Sequence, residues 1–393
     1  MAVPRLRDYT GPAILSYGFR LFFFSGAVFA GLAILVWVPM FFGWVHLPTA
    51  LPPRDWHVHE MLYGYLAPVI TGFLLTAIPN WTGRLPLQGR PLLVLFAAWA
   101  IGRIAIAFSE FLPPLLVALL DLSFLGLVAA ACAREVIAAR NWRNLRVLAL
   151  VAILIVGDVA FHVEVAREGS ADYGIRIAIA GAIMLVVLIG GRIVPSFTRN
   201  WLVRMNPGRL PQPFGPADIA TMAVSGVALA LWIVATDQAV TGYALIAAAL
   251  LQAFRLARWA GDRTWRDPLV FVLHAAYAFV PLGFLLTGLA ALQLVPVSAG
   301  IHAWTGGAIG TMTLAVMTRA SLGHTGRALV ASSATQAIYG VACLSAVARI
   351  AAALAPQWSG VLLPVAGLAW AAAFLGFAAS YFPVLALPSR KRT

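Results

Sequence analysis

The sequence predicts an all-α, polytopic membrane protein with about twelve transmembrane helices. Its 393 residues are 62% hydrophobic and 10% charged, and the mean hydropathy is +0.89. About a quarter of the residues in a soluble domain would be charged. Apolar runs of about 20 residues, the length that a helix needs to cross a bilayer, recur along the whole chain. Lipid offers the backbone no hydrogen bonds, so such runs have to form helices. We expect one transmembrane domain over residues 1–393.

The helices follow in order from the apolar runs between helix-breaking residues. The segment before the first run, "MAVPRLRDYTGP", does not resemble a cleavable signal, so we expect the first run to remain a membrane helix. The predicted spans are 18–42, 58–79, 91–108, 113–136, 147–165, 175–195, 217–236, 239–257, 268–290, 302–319, 333–355 and 359–383.

Basic residues concentrate in every second connection. The net charge is +13, from 27 Lys and Arg against 14 Asp and Glu. The positive-inside rule explains this excess better than nucleic-acid binding does, and no nucleic-acid partner is expected. The alternate connections that carry the charge contain Arg5, Arg7, Arg84, Arg90, Arg140, Arg143, Arg146, Arg199, Arg204, Arg209, Arg258, Arg263, Arg266, Arg327, Arg390, Lys391 and Arg392. Both termini are therefore predicted to be cytoplasmic.

Helices 2 and 10 align without gaps. "HEMLYGYLAPVITGFLLTAIPNWTGR" begins at His59, and "HAWTGGAIGTMTLAVMTRASLGHTGR" begins at His302. Each segment has Gly five residues after the His and ends in Thr-Gly-Arg. A weaker match in helix 6 favours three parallel four-helix repeats, at about 15–140, 145–260 and 265–385. His59 and His302 would then occupy equivalent positions at the outer surface.

The stretch "RDWHVHE" (54–60) precedes this repeat and contains His57, His59 and Glu60. Imidazole nitrogen binds haem iron, copper and zinc. Positions i and i+2 of a helix are about 200° apart, so His57 and His59 share one ion only if the first turn is extended. Otherwise they serve two partners. Tyr63 shares a face with His59 and is placed to donate a hydrogen bond there.

The simpler interpretation of the same stretch is a helix end. Asp55 is expected to be the N-cap of helix 2, and His and Trp are common at membrane interfaces. The repeat-equivalent position of His302 favours a functional role for the group. His46 and His162 lack that support and are interpreted as interfacial residues.

Two further histidines lie toward the inner side. His274 is six residues into helix 9, and His324 lies in the loop after helix 10. They form a second, inner site if that loop folds inward. The simpler alternatives are a hydrogen bond from His274 to a neighbouring helix and a solvated loop position for His324.

Ionisable residues also occur within the predicted spans: Arg20, Arg103, Asp121, Asp158 and Arg192. Such residues normally face the bundle interior and need partners. Arg192 lies near a helix end and can extend to the interface. The others form ion pairs, or an arginine holds a haem propionate; the sequence does not choose between these. There is no ladder of carboxylates of the kind expected for a proton pump.

Four motifs together resemble the NnrS family. They are "LSYGFRLFFFSG" in helix 1, "WHVHEMLYGY" continuing to "GFLLTAIPNWTGR" in helix 2, "GGRIVPSFTRNW" after helix 6, and the helix 10 segment given above. The likeness runs from about residue 15 to 380. One departure is "GFRLFF", where a proline is expected after the arginine. The family comprises bacterial inner-membrane proteins of about twelve helices that are linked to the response to nitric oxide in denitrification and nitrosative stress.

The resemblance implies haem b and copper as cofactors. By motif matching, the metal-ligand candidates are His57, His59, His274, His302 and His324. Arg20 and Tyr63 complete the candidate cofactor-binding residues. The chain has no C-x-x-C-H motif, which excludes covalently attached c-type haem.

The resulting hypothesis is a haem-binding membrane protein that binds or metabolises nitric oxide, with nitric oxide reductase-like activity and a second metal as one form of it. Its electrons would come from quinol or a soluble donor. One alternative is a transporter of a metal or a nitrosylated species, because twelve helices and parallel repeats are familiar there. Another is a haem-based sensor without turnover.

Overall fold

The fold is helical throughout the part of the chain that the structure describes. The computed structural model describes residues 9–388, apart from the side chains of Arg143 and Arg146. The α-helices are α1 (Gly18–Phe41), α2 (Pro53–His59), α3 (Ala67–Thr82), α4 (Arg90–Ala107), α5 (Pro114–Ala138), α6 (Leu145–Glu168), α7 (Tyr173–Met205), α8 (Pro216–Val234), α9 (Ala239–Ala257), α10 (Pro268–Ala291), α11 (Val297–His302), α12 (Thr311–His324), α13 (Ser333–Leu354) and α14 (Ser359–Ala386).

Shorter helical segments join or interrupt these helices. The first π segment (Glu60–Leu66) continues α2 into α3, and the second π segment (Ala303–Gly310) continues α11 into α12. Single 3₁₀ turns occur at Ala13–Leu15, Ser109–Phe111, Trp142–Asn144, Gly261–Arg263 and Pro356–Trp358.

Length and composition confirm the prediction of a polytopic all-α membrane protein. Within residues 9–388, eleven helices are long and apolar enough to cross a membrane. The tenth predicted span (302–319), which is not among these eleven, is also helical, since α11, the second π segment and α12 run on without a break. Its many Gly and Thr residues make it less apolar than the other spans.

Helix ends differ most from the sequence prediction. Helix 2 begins at Pro53 with Pro52 as N-cap, so Asp55 lies in the first turn and the expected N-cap role is wrong. Helix 10 begins at Val297, which puts His302 at the end of α11. His324 is the last residue of α12 and does not lie in a loop. A hydrophobicity window detects only the apolar middle of a helix, while backbone hydrogen bonding continues the helix into its polar ends.

The likeness of helices 2 and 10 extends to the backbone. In each helix the π segment starts directly after the aligned histidine, His59 or His302. The aligned glycines also pack alike: a Cβ on Gly64 would overlap Phe29 of α1, and a Cβ on Gly307 would overlap Phe279 of α10. Interrupted helices of this kind often occur at functional sites. The larger pattern of three four-helix repeats stays a prediction.

Contacts divide the chain into two compact units. Unit 1 contains the described residues up to Ala178, Ala320–Ala328 and the described residues from Phe374 onward, and unit 2 contains Ile179–Arg319 and Leu329–Ala373. Unit 1 therefore includes α1 to α6 and the first π segment. Unit 2 includes α8 to α11, the second π segment, all of α13 and most of α12.

The orientation of the termini remains a prediction, because Arg5, Arg7, Arg390, Lys391 and Arg392 lie outside the described residues.

Alkaline phosphatase is active only outside the cytoplasm. We expect a fusion after Gly169, in the α6–α7 connection, to be active and one after Pro207, in the α7–α8 connection, to be inactive. A fluorescent protein fused to the C-terminus should fluoresce, as expected if the C-terminus is cytoplasmic. An active fusion after Pro207 would contradict this topology.

Candidate metal centre

Four side chains of unit 1 converge on one buried point. His59 comes from α2, Asp121 from α5, and Asp158 and His162 from α6. One donor atom from each residue lies within 4.8 Å of the donor atoms of the other three. The side chains of His59, Asp121 and Asp158 are almost fully buried, and that of His162 is 12% exposed. These four residues are called the His/Asp cluster below.

The order of the helices explains the convergence. α4, α5 and α6 are joined by short connections, so the end of α4, the start of α5 and the end of α6 share one end of unit 1. Asp121 lies about 10 Å from the start of α5, and His162 about 9 Å from the end of α6, at 1.5 Å per residue. Asp158 and His162 are one helical turn apart on the same face. Gly102 allows α4 close to Asp121, since a Cβ there would lie 3.1 Å from the Asp121 Cα atom.

The donor spacing matches that of a metal site. His59 Nε2 lies 2.9 Å from Asp121 Oδ2 and 3.4 Å from Asp158 Oδ1. His162 Nε2 lies 3.0 Å and 3.7 Å from the same two oxygens. Metal–ligand bonds of about 2.0–2.1 Å in a tetrahedral site separate neighbouring donors by about 3.4 Å. The two distances to Asp158 Oδ1 lie close to that value, and the two to Asp121 Oδ2 are shorter and are hydrogen-bond distances.

Glu60 fixes the ring of His59. The second ring nitrogen, Nδ1, lies 3.1 Å from Glu60 Oε1 and donates its proton there. With an ion bound, the Nε2 lone pair would be directed to it between Asp121 and Asp158; without one, Nε2–H donates to Asp121 Oδ2 at 2.9 Å. A carboxylate that holds the far nitrogen of a histidine is the usual support of a metal-bound imidazole. Glu60 is the first residue of the π segment that follows His59.

Arg103 links the support to the cluster. Its two terminal nitrogens donate to Glu60 Oε1 and to Asp121 Oδ1. Three carboxylates and one guanidinium leave two negative charges when both histidines are neutral. Charges buried this deeply need compensation in a low-dielectric medium. A divalent cation would make the whole group neutral.

Two buried atoms of this group have no hydrogen-bond partner among the described residues. They are Asp158 Oδ1 and Arg103 Nε. Nearly all buried polar atoms in proteins are paired, so an orphaned carboxylate oxygen that faces two imidazoles indicates a missing ligand. The chemistry of a carboxylate oxygen calls for a cation or a proton donor.

His57 and His59 lie on separate sides of α2. The His57 ring stacks on Trp37 with centroids 4.1 Å apart. The His59 ring contacts Tyr63 and Phe161. The two histidine rings therefore stack against different neighbours, as expected for i and i+2 on a regular helix.

Tyr63 stays close to His59 without bonding to the cluster. The two rings are 4.9 Å apart, but the Tyr63 hydroxyl donates to the Leu154 carbonyl at 3.3 Å. Asp55 accepts from Arg54 at 2.6 Å and from the Ala171 amide at 3.2 Å. It thereby ties the start of α2 to the α6–α7 connection.

Arg20 contacts backbone in the structure. Its Nη1 atom donates to the carbonyls of Val384, Leu385 and Leu387, at 3.1, 2.7 and 2.8 Å. Val384 and Leu385 lie in the last turn of α14, and Leu387 directly follows the helix, where the last carbonyls of a helix are left unpaired. A cation there also interacts favourably with the helix dipole.

The remaining histidine candidates lie elsewhere. His302 Nδ1 donates to the Ser298 carbonyl at 2.8 Å, which places the lone pair of the neutral ring on Nε2. His274 Nε2 bonds to Thr198 Oγ1 at 2.7 Å. His324 packs against the rings of Tyr17 and Phe19. The inner site expected from His274 and His324 stays a prediction.

Sequence reasoning missed His162 as a member of the cluster. The interfacial interpretation is wrong, because its ring lies within hydrogen-bond distance of Asp121. The signal in the sequence was the i,i+4 pair Asp158 and His162 within an apolar helix. An ion pair was one of the two alternatives left open for Arg103 and Asp121, and the structure shows that pair.

Similarity of the whole sequence to a known protein family shows the family to which the chain belongs. The family described as NnrS protein matches residues 13–389, which is nearly the whole chain. The chain belongs to the NnrS family. No curated protein matches the sequence. Membership is consistent with a role in the nitric oxide response.

The cofactors that the NnrS family implies can be tested against the donor set. Two imidazoles and two carboxylates suit a divalent first-row metal, including Cu(II) and non-haem Fe(II). They do not suit haem iron, which needs one or two axial ligands and leaves its equatorial positions to the porphyrin. The His/Asp cluster therefore fits a metal ion such as copper and does not fit haem b.

Removing Arg103 should destabilise the fold. Arg103→Ala leaves Glu60 and Asp121 as buried carboxylates without their partner, which costs about 3–5 kcal/mol of unfolding free energy. The control is Arg84→Ala. Arg84 also pairs with a carboxylate, Glu135, but its side chain is 47% exposed. An exposed pair contributes about 0–1 kcal/mol. Thermal unfolding in detergent measures both, and equal losses would contradict the charge balance described above.

Glu60 should tune metal affinity without being a ligand. Glu60→Gln weakens the hold on His59 Nδ1, and loss of such a support lowers metal affinity by about 10- to 100-fold. Competition with a chelator measures the change. Glu110→Gln is the control, because Glu110 is exposed and faces His46. No change at Glu60, or the same change at Glu110, would contradict this role.

Proposed function

We propose that this NnrS family member is an inner-membrane protein of the nitrosative-stress response that binds nitric oxide at a metal ion held by the His/Asp cluster. Haem b is its second cofactor, and the ion is copper or another redox-active first-row metal. The observation that carries the proposal is the buried, charge-unbalanced set of two histidines and two aspartates.

The cluster suits a small apolar substrate. The donors lie within the helices of unit 1, about 9–15 Å from the helix ends at 1.5 Å per residue. Nitric oxide is small and uncharged and partitions into lipid, so it needs no wide aqueous entrance. His162 is the most exposed of the four ligands, with 12% of its side chain accessible. We infer that nitric oxide approaches from the His162 side.

The protein residues have separate tasks in this site. His59, Asp121, Asp158 and His162 would hold the ion. Glu60 keeps the proton on His59 Nδ1 and so keeps Nε2 available. A bound redox metal supplies a coordination position for nitric oxide and a route for electrons. The activity would be reductase-like if a quinol or soluble donor supplies those electrons, and sensing if none does.

Transport is the competing function. Buried carboxylates and histidines within membrane helices also mark ion pathways. Two properties separate the alternatives. A resident metal stays bound through purification and responds to nitric oxide, whereas a transported metal crosses liposome membranes containing the protein.

The test uses purified full-length protein under anaerobic conditions. We expect about one ion per chain in the wild type and spectral changes in that ion when nitric oxide is added. Asp158→Asn and His162→Ala should lose both. His46→Ala is the matched control, because His46 has an 84% exposed side chain and lies outside the cluster. An ion-free wild type, or a nitric oxide response that survives loss of the ion, would contradict the proposal.

Turnover of nitric oxide with an artificial electron donor would then identify the protein as an enzyme. Absence of turnover would identify it as a sensor. Metal uptake into liposomes that His162→Ala abolishes would instead assign a transporter.

A further inference from the structure

A cavity of about 640 Å³ lies at one end of unit 1, where the α3–α4 connection meets the last turns of α5. Its volume falls within the range of about 300–1,000 Å³ that is usual for ligand sites. Asp121 and Glu135 both lie on α5, about 21 Å apart at 1.5 Å per residue, so the cavity is separate from the His/Asp cluster. The side chains that line the cavity include Arg84, Leu85, Leu87, Arg134 and Glu135.

The polar part of this cavity carries a net positive charge. Glu135 accepts from Arg84 Nε through one carboxylate oxygen and from Arg134 Nε, at 2.9 Å, through the other. One carboxylate therefore serves two guanidiniums. The Glu135 side chain is 12% exposed, whereas those of Arg84 and Arg134 are 47% and 65% exposed. No described residue accepts a hydrogen bond from the terminal nitrogens of Arg84, so they are available to an anion in the cavity.

A narrow apolar cleft continues the cavity between α3 and α5. Leu85, Leu87 and Glu135 line both the cavity and the cleft. The cleft reaches Leu75 on α3 and Ala131 on α5, each about 10 Å before the end of its helix at 1.5 Å per residue. Its other lining residues are Ile78, Pro79, Thr82 and Cys132. The site as a whole is therefore amphipathic, with a cationic mouth and an apolar interior.

This end of unit 1 lies at the predicted inner surface of the membrane. The α3–α4 and α5–α6 connections both belong to the arginine-rich set of alternate connections. Asn141 Nδ2 donates to the Trp81 carbonyl at 2.6 Å and ties the α5–α6 connection to the end of α3. Trp142, in the same connection, is 57% exposed. Tryptophan is enriched at the level of the lipid headgroups, so the cationic mouth is placed at headgroup depth.

We propose that this cavity binds an anionic phospholipid, with its phosphate on Arg84 and Arg134 and an acyl chain in the cleft between α3 and α5. The planar guanidinium matches a phosphate in a two-point hydrogen-bonded pair. Basic pockets between membrane helices on the cytoplasmic side suit anionic headgroups. A zwitterionic lipid fits less well, because it brings its own cation to a site that is already positive. The proposal goes beyond the proposed function and needs neither the metal ion nor haem.

The test compares dioleoyl phosphatidylglycerol, which is anionic, with dioleoyl phosphatidylcholine, which is zwitterionic and has the same chains. Delipidated full-length protein is titrated with each lipid in detergent, and bound lipid is counted by native mass spectrometry. The wild type should bind phosphatidylglycerol about 5- to 10-fold more tightly, as expected for charge-assisted contacts at a membrane surface. Arg84→Gln and Arg134→Gln should each remove most of this preference by weakening phosphatidylglycerol and leaving phosphatidylcholine unchanged.

Arg209→Gln is the matched control. Arg209 also pairs with a single carboxylate, Asp262, at 2.6 Å, and its side chain is 54% exposed. The preference for phosphatidylglycerol should survive this change. Equal losses in Arg84→Gln and Arg209→Gln would overturn the proposal, since they assign the preference to the overall positive charge of the inner surface. No preference in the wild type would overturn it as well. If Arg84→Gln fails to fold, Arg134→Gln decides in the same way.

Other occupants of the cavity give different results. Ala131→Leu fills the cleft and should weaken phosphatidylglycerol, with folding checked by thermal unfolding; unchanged binding would overturn the placement of the acyl chain. Inorganic phosphate at the same concentration should not displace the lipid. Full displacement would overturn the proposal in favour of a free anion. Displacement by a quinol, with equal quinol affinity in Arg84→Gln, would overturn it in favour of a quinol site.

Discussion

Charge neutrality in a low-dielectric interior is the constraint on which the candidate site depends. Glu60, Asp121 and Asp158 bring three carboxylates together, and Arg103 supplies one positive charge. Leaving two charges unbalanced at this depth would cost several kcal/mol per ion. A divalent ion and two added protons on the histidines are the two ways to restore neutrality. The distances of 3.4 and 3.7 Å from the imidazoles to Asp158 Oδ1, and the lack of a hydrogen-bond partner for that oxygen among the described residues, favour the ion.

Unit 2 contains another buried polar network, in which the side chains supply one another's hydrogen-bond partners. Arg255 donates to Asp218 at 2.9 Å and to the Tyr277 hydroxyl at 3.1 Å. Tyr277 donates to Gln252 at 2.7 Å, and Gln252 donates to Ser225 at 2.8 Å. Arg258 also donates to Asp218, at 3.3 Å, and the hydrogen bonds run in a continuous chain from the arginines to Ser225. Such a network needs no ligand and orders its helices. The His/Asp cluster differs because Asp158 Oδ1 and Arg103 Nε are buried there without a hydrogen-bond partner among the described residues.

Hydropathy predicts the fold class because the bilayer permits few backbone arrangements. It also located helix 2 and the prominence of His59, which begins a repeated motif. It could not find the cluster as a whole, because Asp121 and His162 meet only when α5 packs against α6. Their joint importance depends on distances that no single-helix pattern contains. The π segments were equally hidden, since the extra residue per turn leaves no mark on hydrophobicity.

X-ray absorption at the K edge of the metal in the purified protein tests the central claim most directly. The spectrum should show one ion with two imidazole nitrogens and two carboxylate oxygens at about 2.0–2.2 Å. Asp158→Asn should lose the ion or change that shell. A shell of sulfur or of imidazoles alone would contradict the assignment of the ion to His59, Asp121, Asp158 and His162. So would protein that carries no ion and holds both histidines protonated.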